Sequence, residues 1–388
     1  IGTVYGGGNE GDMLAQEETR LNIPTTYGNS ENVDVKYGTH VKMNSPNILI
    51  DYLYGGCQKS NVDYSTWTEI MDGHVGTVYG GCNISGDVGS ARVNPNVPSS
   101  SASVAYQEVQ GGTYVKASGG VVYNNLFGGS NGFYHCNDGV YYIEGVTYCH
   151  PENYVGWAIP THNETHAIVT GTALIKGNVY AGGNMAPVGF TDATVGERTF
   201  PQFVGLASLR MDGGEVIGNV FGGGNMASIL GSNEVMVSGG RIGMTDAYDG
   251  ALYGGNDRSG QAGQISNRVF PVGYDIASDG YTSLSEVNTY VSLTGKPDIN
   301  TVYGGGNGDY PYAEGDDVIP QGMYCSYDGD GVFNDKPIQT NTFVDINITG
   351  NNNDGTNGGH INTVYGGGNG VTVYGSITVF LNVQDPIA

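Results

Sequence analysis

Few residues in this chain have both the type and the spacing to do chemistry. The segment Tyr327-Asp328-Gly329-Asp330-Gly331-Val332-Phe333-Asn334-Asp335 alternates carboxylates with glycine. That is the pattern of Asp-x-Asp-Gly loops, which wrap calcium in oxygen ligands. Asp328, Asp330 and Asp335 are the candidate calcium ligands, although the third early ligand and closing glutamate of an EF-hand are missing. Glu314, Asp316 and Asp317 lie in the same insertion. His162-Asn163-Glu164-Thr165-His166 brings two histidines close together, but not in zinc-protease order, where the glutamate directly follows the first histidine. A surface loop is the expectation there. Of the five cysteines, Cys57 and Cys82 share one slot of a repeated motif, and Cys136 and Cys149 flank an insertion. Both pairs are candidate disulfides, since stacked strands would bring the first pair within bonding range. Trp67, Trp157, Tyr134, Tyr154, Tyr310 and Tyr312 are candidate platforms for sugars.

Catalysis is poorly served. A polysaccharide-cleaving enzyme would need clustered carboxylates with a nearby Arg, Lys or His. Asp316-Asp317 is the only adjacent aspartate pair. The reading is a non-enzyme, with calcium the one ligand the sequence suggests.

The elements that must hold these residues follow from an internal repeat. Nine copies of a Val/Leu-aromatic-Gly-Gly-small-Asn motif begin at residues 4, 53, 78, 126, 179, 220, 252, 302 and 364. The copy at 252 looks shortened, ending Leu252-Tyr253-Gly254-Gly255-Asn256, and Gln58 replaces asparagine in the second copy. Spacing varies from 25 residues (53 to 78) to 62 (302 to 364), and the extra length falls after the motif asparagine. Stretches such as Phe343-Val344-Asp345-Ile346-Asn347-Ile348 precede the motif with period-2 alternation, the mark of a strand.

A fixed repeat with variable insertions predicts an all-β chain forming one parallel β-helix (β-solenoid) over 1–388, with about nine irregular coils and long insertions along one edge. A 25-residue copy is too short for a propeller blade. In each coil the glycine pair should turn a corner where a Cβ would clash, at φ > 0. The motif aromatics (Tyr5, Tyr54, Tyr79, Phe127, Tyr180, Phe221, Tyr253, Tyr303 and Tyr365) should stack coil on coil. The amides of Asn9, Asn83, Asn131, Asn184, Asn225, Asn256, Asn307 and Asn369 should form a second ladder. The 67 glycines suit such a turn-dense fold, because neither collagen's strict period nor its proline content is present.

The Tyr-Gly-Gly-x-Asn coils resemble right-handed parallel β-helix proteins of the pectin-lyase-like group, in their non-catalytic branch of bacterial surface adhesins and fibre proteins. That resemblance implies an extracellular or cell-surface protein. The formal charge of −24 argues against nucleic acid and anionic membranes as partners, and no apolar run is long enough to insert as a membrane helix. Ile1-Gly2-Thr3-Val4-Tyr5 is neither an initiator methionine nor a signal peptide, which fits a processed chain or one piece of something longer.

No capping element is visible in the sequence. The chain opens on a motif strand (1–5) and closes on the strand type that normally precedes one (376–383). Joined end to end, the two nearly complete a repeat. The expectation is an extracellular filament or surface fibre, with copies of the chain assembling head to tail by completing a shared coil. The alternative is a monomeric adhesin or carbohydrate-binding β-helix, part of a longer surface protein, meeting glycans or a neighbouring surface.

Overall fold

The computed structural model describes residues 1–13, 17–24, 30–84, 86, 88–89, 112–136, 141–143, 146–148, 154–158, 164–189, 194–195, 198–199, 206–227, 229, 231–243, 249–258, 260–262, 288–309, 323–325, 331–333, 338–339, 341–348, 358–373 and 375–382. The described residues contain no helix and one large sheet of 19 strands, paired in parallel apart from one hairpin (Glu17–Pro24 with residues 30–37). The fold is a parallel β-helix. Four small additional sheets of two strands and one of three complete the described structure.

Each coil has three faces. In the fourth coil these are Thr113–Ala117, Val121–Val122 and the motif strand Leu126–Phe127. The same faces recur in register from coil to coil. On the second face Ile50, Val75, Val122, Ile175, Val216, Ile242, Ile299 and Ile361 pair in sequence. All eight are β-branched, which suits a pleated surface packed on one side. Together with Val115, Leu209, Val235, Val291 and Val344 of the first face, and the Val or Leu of each motif, they form one continuous apolar core.

A polar row lines this core. Thr39, Thr66, Thr113, Thr165, Ala207, Asn233, Thr289, Thr342 and Ile377 occupy one column of the first face. The hydroxyls of Thr39, Thr66, Thr113 and Thr342 each donate to the carbonyl of their own coil's first motif glycine, at 2.5–2.7 Å. These bonds satisfy a carbonyl at the corner that the sheet ladder leaves over.

The motif glycines are needed for space, not for a left-handed backbone. None of them has positive φ. A Cβ on Gly80 would instead run into the carbonyl of Gly128 in the next coil, and one on Gly55 into that of Gly80. The expected φ > 0 belongs to a different set, including Gly73, Gly120, Gly171, Gly214, Gly240 and Gly295, at the bend between first and second faces.

Candidate functional site

Two ladders leave each motif corner on opposite sides of the glycine pair. The motif aromatic points away from the core, so the rings make a cluster of their own. From Tyr5 through Tyr54, Tyr79, Phe127, Tyr180, Phe221, Tyr253 and Tyr303 to Tyr365, successive centroids lie 4.6–5.0 Å apart with planes within 12°. That separation is the spacing of parallel strands, so backbone geometry imposes face-to-face stacking. Burial raises the phenol pKa of Tyr54, Tyr79 and Tyr253, and neighbouring phenols add to the rise.

The amides form the second ladder. Asn131 Nδ2 donates to Asn83 Oδ1, Asn184 Nδ2 to Asn131 Oδ1, and Asn225 Nδ2 to Asn184 Oδ1, at 2.7–2.9 Å. Asn83 Nδ2 donates to Tyr5 Oη at 2.9 Å, two coils away. At its other end the ladder runs from Asn369 Nδ2 to Asn307 Oδ1 (3.1 Å) and from Asn307 Nδ2 to Asp257 Oδ1 (3.2 Å).

Asp257 corrects the sequence reading. The seventh copy is not shortened. Asp257 N bonds Gly224 O just as Asn225 N bonds Gly183 O, which puts Asp257 in the sixth slot. Asn256 sits in the fifth, where its Oδ1 accepts from Gly224 N and its Nδ2 donates to Ala227 O. Asp257 is 1% exposed and accepts a bond from Tyr180 Oη at 2.8 Å. A carboxylate has no N–H to offer, so Asn225 Oδ1 is buried with no hydrogen-bond partner.

The strongest chemical constellation lies on the outer side of the first face. Glu164–Val169 is a strand, not a surface loop, because the alternation of Thr165, Ala167 and Val169 feeds the core. Register then places His166 between Tyr114 and Ser208. His166 Nδ1 lies 3.2 Å from Ser208 Oγ and Nε2 lies 3.1 Å from Glu164 Oε2, while Tyr114 stacks on the ring at 4.4 Å. Burial raises the Glu164 pKa, but the hydrogen bond and charge of His166 outweigh it and the net shift is downward. Burial also raises the Tyr114 phenol, and the charge of Glu164 adds to that. Serine, histidine and glutamate in this order resemble a nucleophilic triad in kind. Ser208 is 1% exposed and His166 fully buried, so no substrate reaches them in this conformation. Glu164 and His166 are neighbours on one strand, and register between coils adds Ser208, 42 positions away.

Cys57 and Cys82, one of the two expected disulfide pairs, stack in the fifth slot and are free in this structure. Cys57 N donates to Cys82 Sγ at 3.3 Å. The hydrogen bond with the Cys82 thiol holds the Cys57 pKa down to about 6, against the effect of burial. Side chains that occupy equivalent positions in a parallel stack point the same way, one strand spacing apart. A disulfide instead needs Cβ atoms only about 3.8 Å apart and turned toward each other.

Trp67 is buried beside His40 and Tyr114, so it is no sugar platform. Trp157, Tyr134, Tyr154 and Cys136 lie on two paired strands described by their backbone alone. Asp328, Asp330, Asp335, Asp316, Asp317, Glu314, Tyr310, Tyr312, His162 and Cys149 lie outside the described residues. Among the described residues no group of three or more His, Cys, Asp or Glu is placed to hold a metal ion. Comparison with protein-family models, with curated proteins and with solved structures finds no match for the chain.

Proposed function

We propose that the protein is a structural rod, a subunit of an extracellular fibre that grows when a second copy adds its first coil to the last coil of the first. One observation carries this reading. The sequence Thr-Val-Tyr-Gly-Gly-Gly-Asn occurs at 3–9, at 301–307 and at 363–369. Inside the molecule, residues 363–369 stack directly on 301–307, with Val302↔Val364 and Tyr303↔Tyr365 in register and Asn369 bonded to Asn307. A copy presenting residues 3–9 to residues 363–369 repeats that contact residue for residue.

The first and last layers are also complementary in step. At one end Ile377–Leu381 pairs on Thr342–Ile346 and extends one layer beyond the last motif strand. At the other end Thr3–Tyr5 extends one layer beyond residues 39–43, which pair only with the third coil. A second copy's Thr39–Met43 strand is thus offered to Ile377–Leu381 while its Thr3–Tyr5 covers Thr363–Tyr365. A further coil laid on this layer would cover Tyr365, Ile377, Phe380 and Leu381, which are 51%, 54%, 58% and 70% exposed.

Electron microscopy and sedimentation of the purified chain test the proposal. Rods should lengthen with concentration in steps of about 40 Å, nine strand spacings. Val379→Lys should stop growth without changing the β circular dichroism signal. Short, monodisperse particles at all concentrations would sink the copy-on-copy reading.

A further inference from the structure

Two thiols from successive coils stack under one corner, and Met13 of the coil before packs against their cluster. Cys57 and Cys82 are the only motif residues with thiols in the fifth slot, and they are in register: Gly56 N bonds Gly81 O at 3.0 Å and Asn83 N bonds Cys57 O at 3.0 Å. Both are fully buried. Val62 and Val88 wall the cluster, and Met13 of the first coil packs against it. A Cβ placed on Gly7 would overlap Cys57 Sγ and sit beside Met13 Cγ, so both side chains border the same space under Gly7.

We propose that Cys57, Cys82 and Met13 form a sulfur-only binding site for a soft monovalent metal cation of the copper(I) class. Three physical arguments support it. The first is span. Strands sit about 4.8 Å apart, and two metal–sulfur bonds of about 2.3 Å cover nearly that distance. A disulfide of about 2.05 Å does not, unless both coils distort. The second is ligand chemistry. Thiolate and thioether donors select soft ions such as copper(I), whereas calcium and magnesium require oxygen ligands. Zinc prefers four ligands, and these side chains offer three sulfurs. The nearby Asp12 carboxylate is already engaged by Asn61 N at 2.9 Å.

The third argument is access. Cys57 Sγ donates to Asn61 O at 3.9 Å, and Cys82 Sγ lies 3.6 Å from Ser60 O and accepts from Cys57 N at 3.3 Å, contacts that a metal would compete with. Entry is through the first coil, where residues 9–12 are exposed directly beside Met13. Binding releases the thiol protons to solvent and changes no oxidation state.

The test is an anaerobic titration of the fully reduced chain with copper(I) held by a chromogenic competing chelator. The expected result is one tightly bound equivalent with a sulfur-only X-ray absorption signature and a raised melting temperature. Cys57→Ser and Cys82→Ser should each abolish that equivalent, and Met13→Leu should weaken it about tenfold, the usual scale for a supporting ligand. Serine already fills this slot at Ser130, so the cysteine variants should fold, and circular dichroism checks that they do. Two outcomes overturn the proposal. One is no tight copper(I) uptake by the reduced chain. The other is unchanged uptake in the Cys57→Ser/Cys82→Ser double variant, which would assign the metal to the remaining cysteines.

Discussion

The aromatic stack runs through all nine corners without a gap, whereas the amide ladder is seen from the third corner onward and is broken within that run. Phenylalanine replaces tyrosine at 127 and 221, and the ring spacing on either side stays at 4.6–4.9 Å. Aspartate replaces asparagine at 257, and a buried oxygen on Asn225 loses its partner. Stacking and apolar burial depend on shape and area, which tyrosine and phenylalanine share. A hydrogen-bond ladder needs a donor and an acceptor on every rung, so a substitution of one atom type interrupts it. The nondirectional ladder tolerates drift in sequence, and the directional one records it.

Four measurements break or sharpen that contrast. Phe221 is fully buried between two rings, and Phe221→Ala should cost about 3–5 kcal/mol in denaturant melts. A loss near zero would mean the stack contributes nothing to stability. Gly223 joins the two ladders, and a side chain there would overlap the Asn256 carboxamide. Gly223→Val should cost about 1–3 kcal/mol by overpacking, and an unchanged melting temperature would show that the corner has room.

The tyrosines supply a pH test. Their folded pKa values lie above the unfolded value of about 10, because burial disfavours the phenolate. Their stabilisation is therefore complete below about pH 10, and falls as pH rises further by about 1.4 kcal/mol per pH unit for each tyrosine. Tyrosinate absorbance from these three should appear only with loss of the β signal, and titration of all 28 tyrosines in an intact fold would contradict the buried stack.

The smallest effect concerns the broken rung. Asp257→Asn provides the N–H that Asn225 Oδ1 lacks while keeping an acceptor for Asn307, so it should raise stability by about 1 kcal/mol. If the variant is less stable, the carboxylate has a role that an amide cannot fill.

Much of this architecture is legible along the chain. The alternation at 343–348 and the recurring Tyr-Gly-Gly-x-Asn stand out because strand period and repeat period are local properties. The role of the glycines is harder to read, since a glycine required by φ and one required by a neighbouring coil's carbonyl look alike in one dimension. Gly120 is of the first kind and Gly80 of the second. Asn256 was easily taken for the ladder residue because it carries the right side chain. Pairing of Asp257 N with Gly224 O assigns the slot instead.

Residue types and their periods were enough to specify an all-β solenoid with a stacked aromatic at each corner, because a parallel coil repeats its own geometry every strand spacing. Register between coils decided the rest: the buried Glu164–His166–Ser208 chain, the threonine row, the stacked thiols and the gap below Asp257. Apart from the local Glu164–His166 pair, those contacts join residues 25 or more positions apart, across insertions of unequal length. Only the backbone ladder counts past such insertions, and so only the folded chain says which side chains meet.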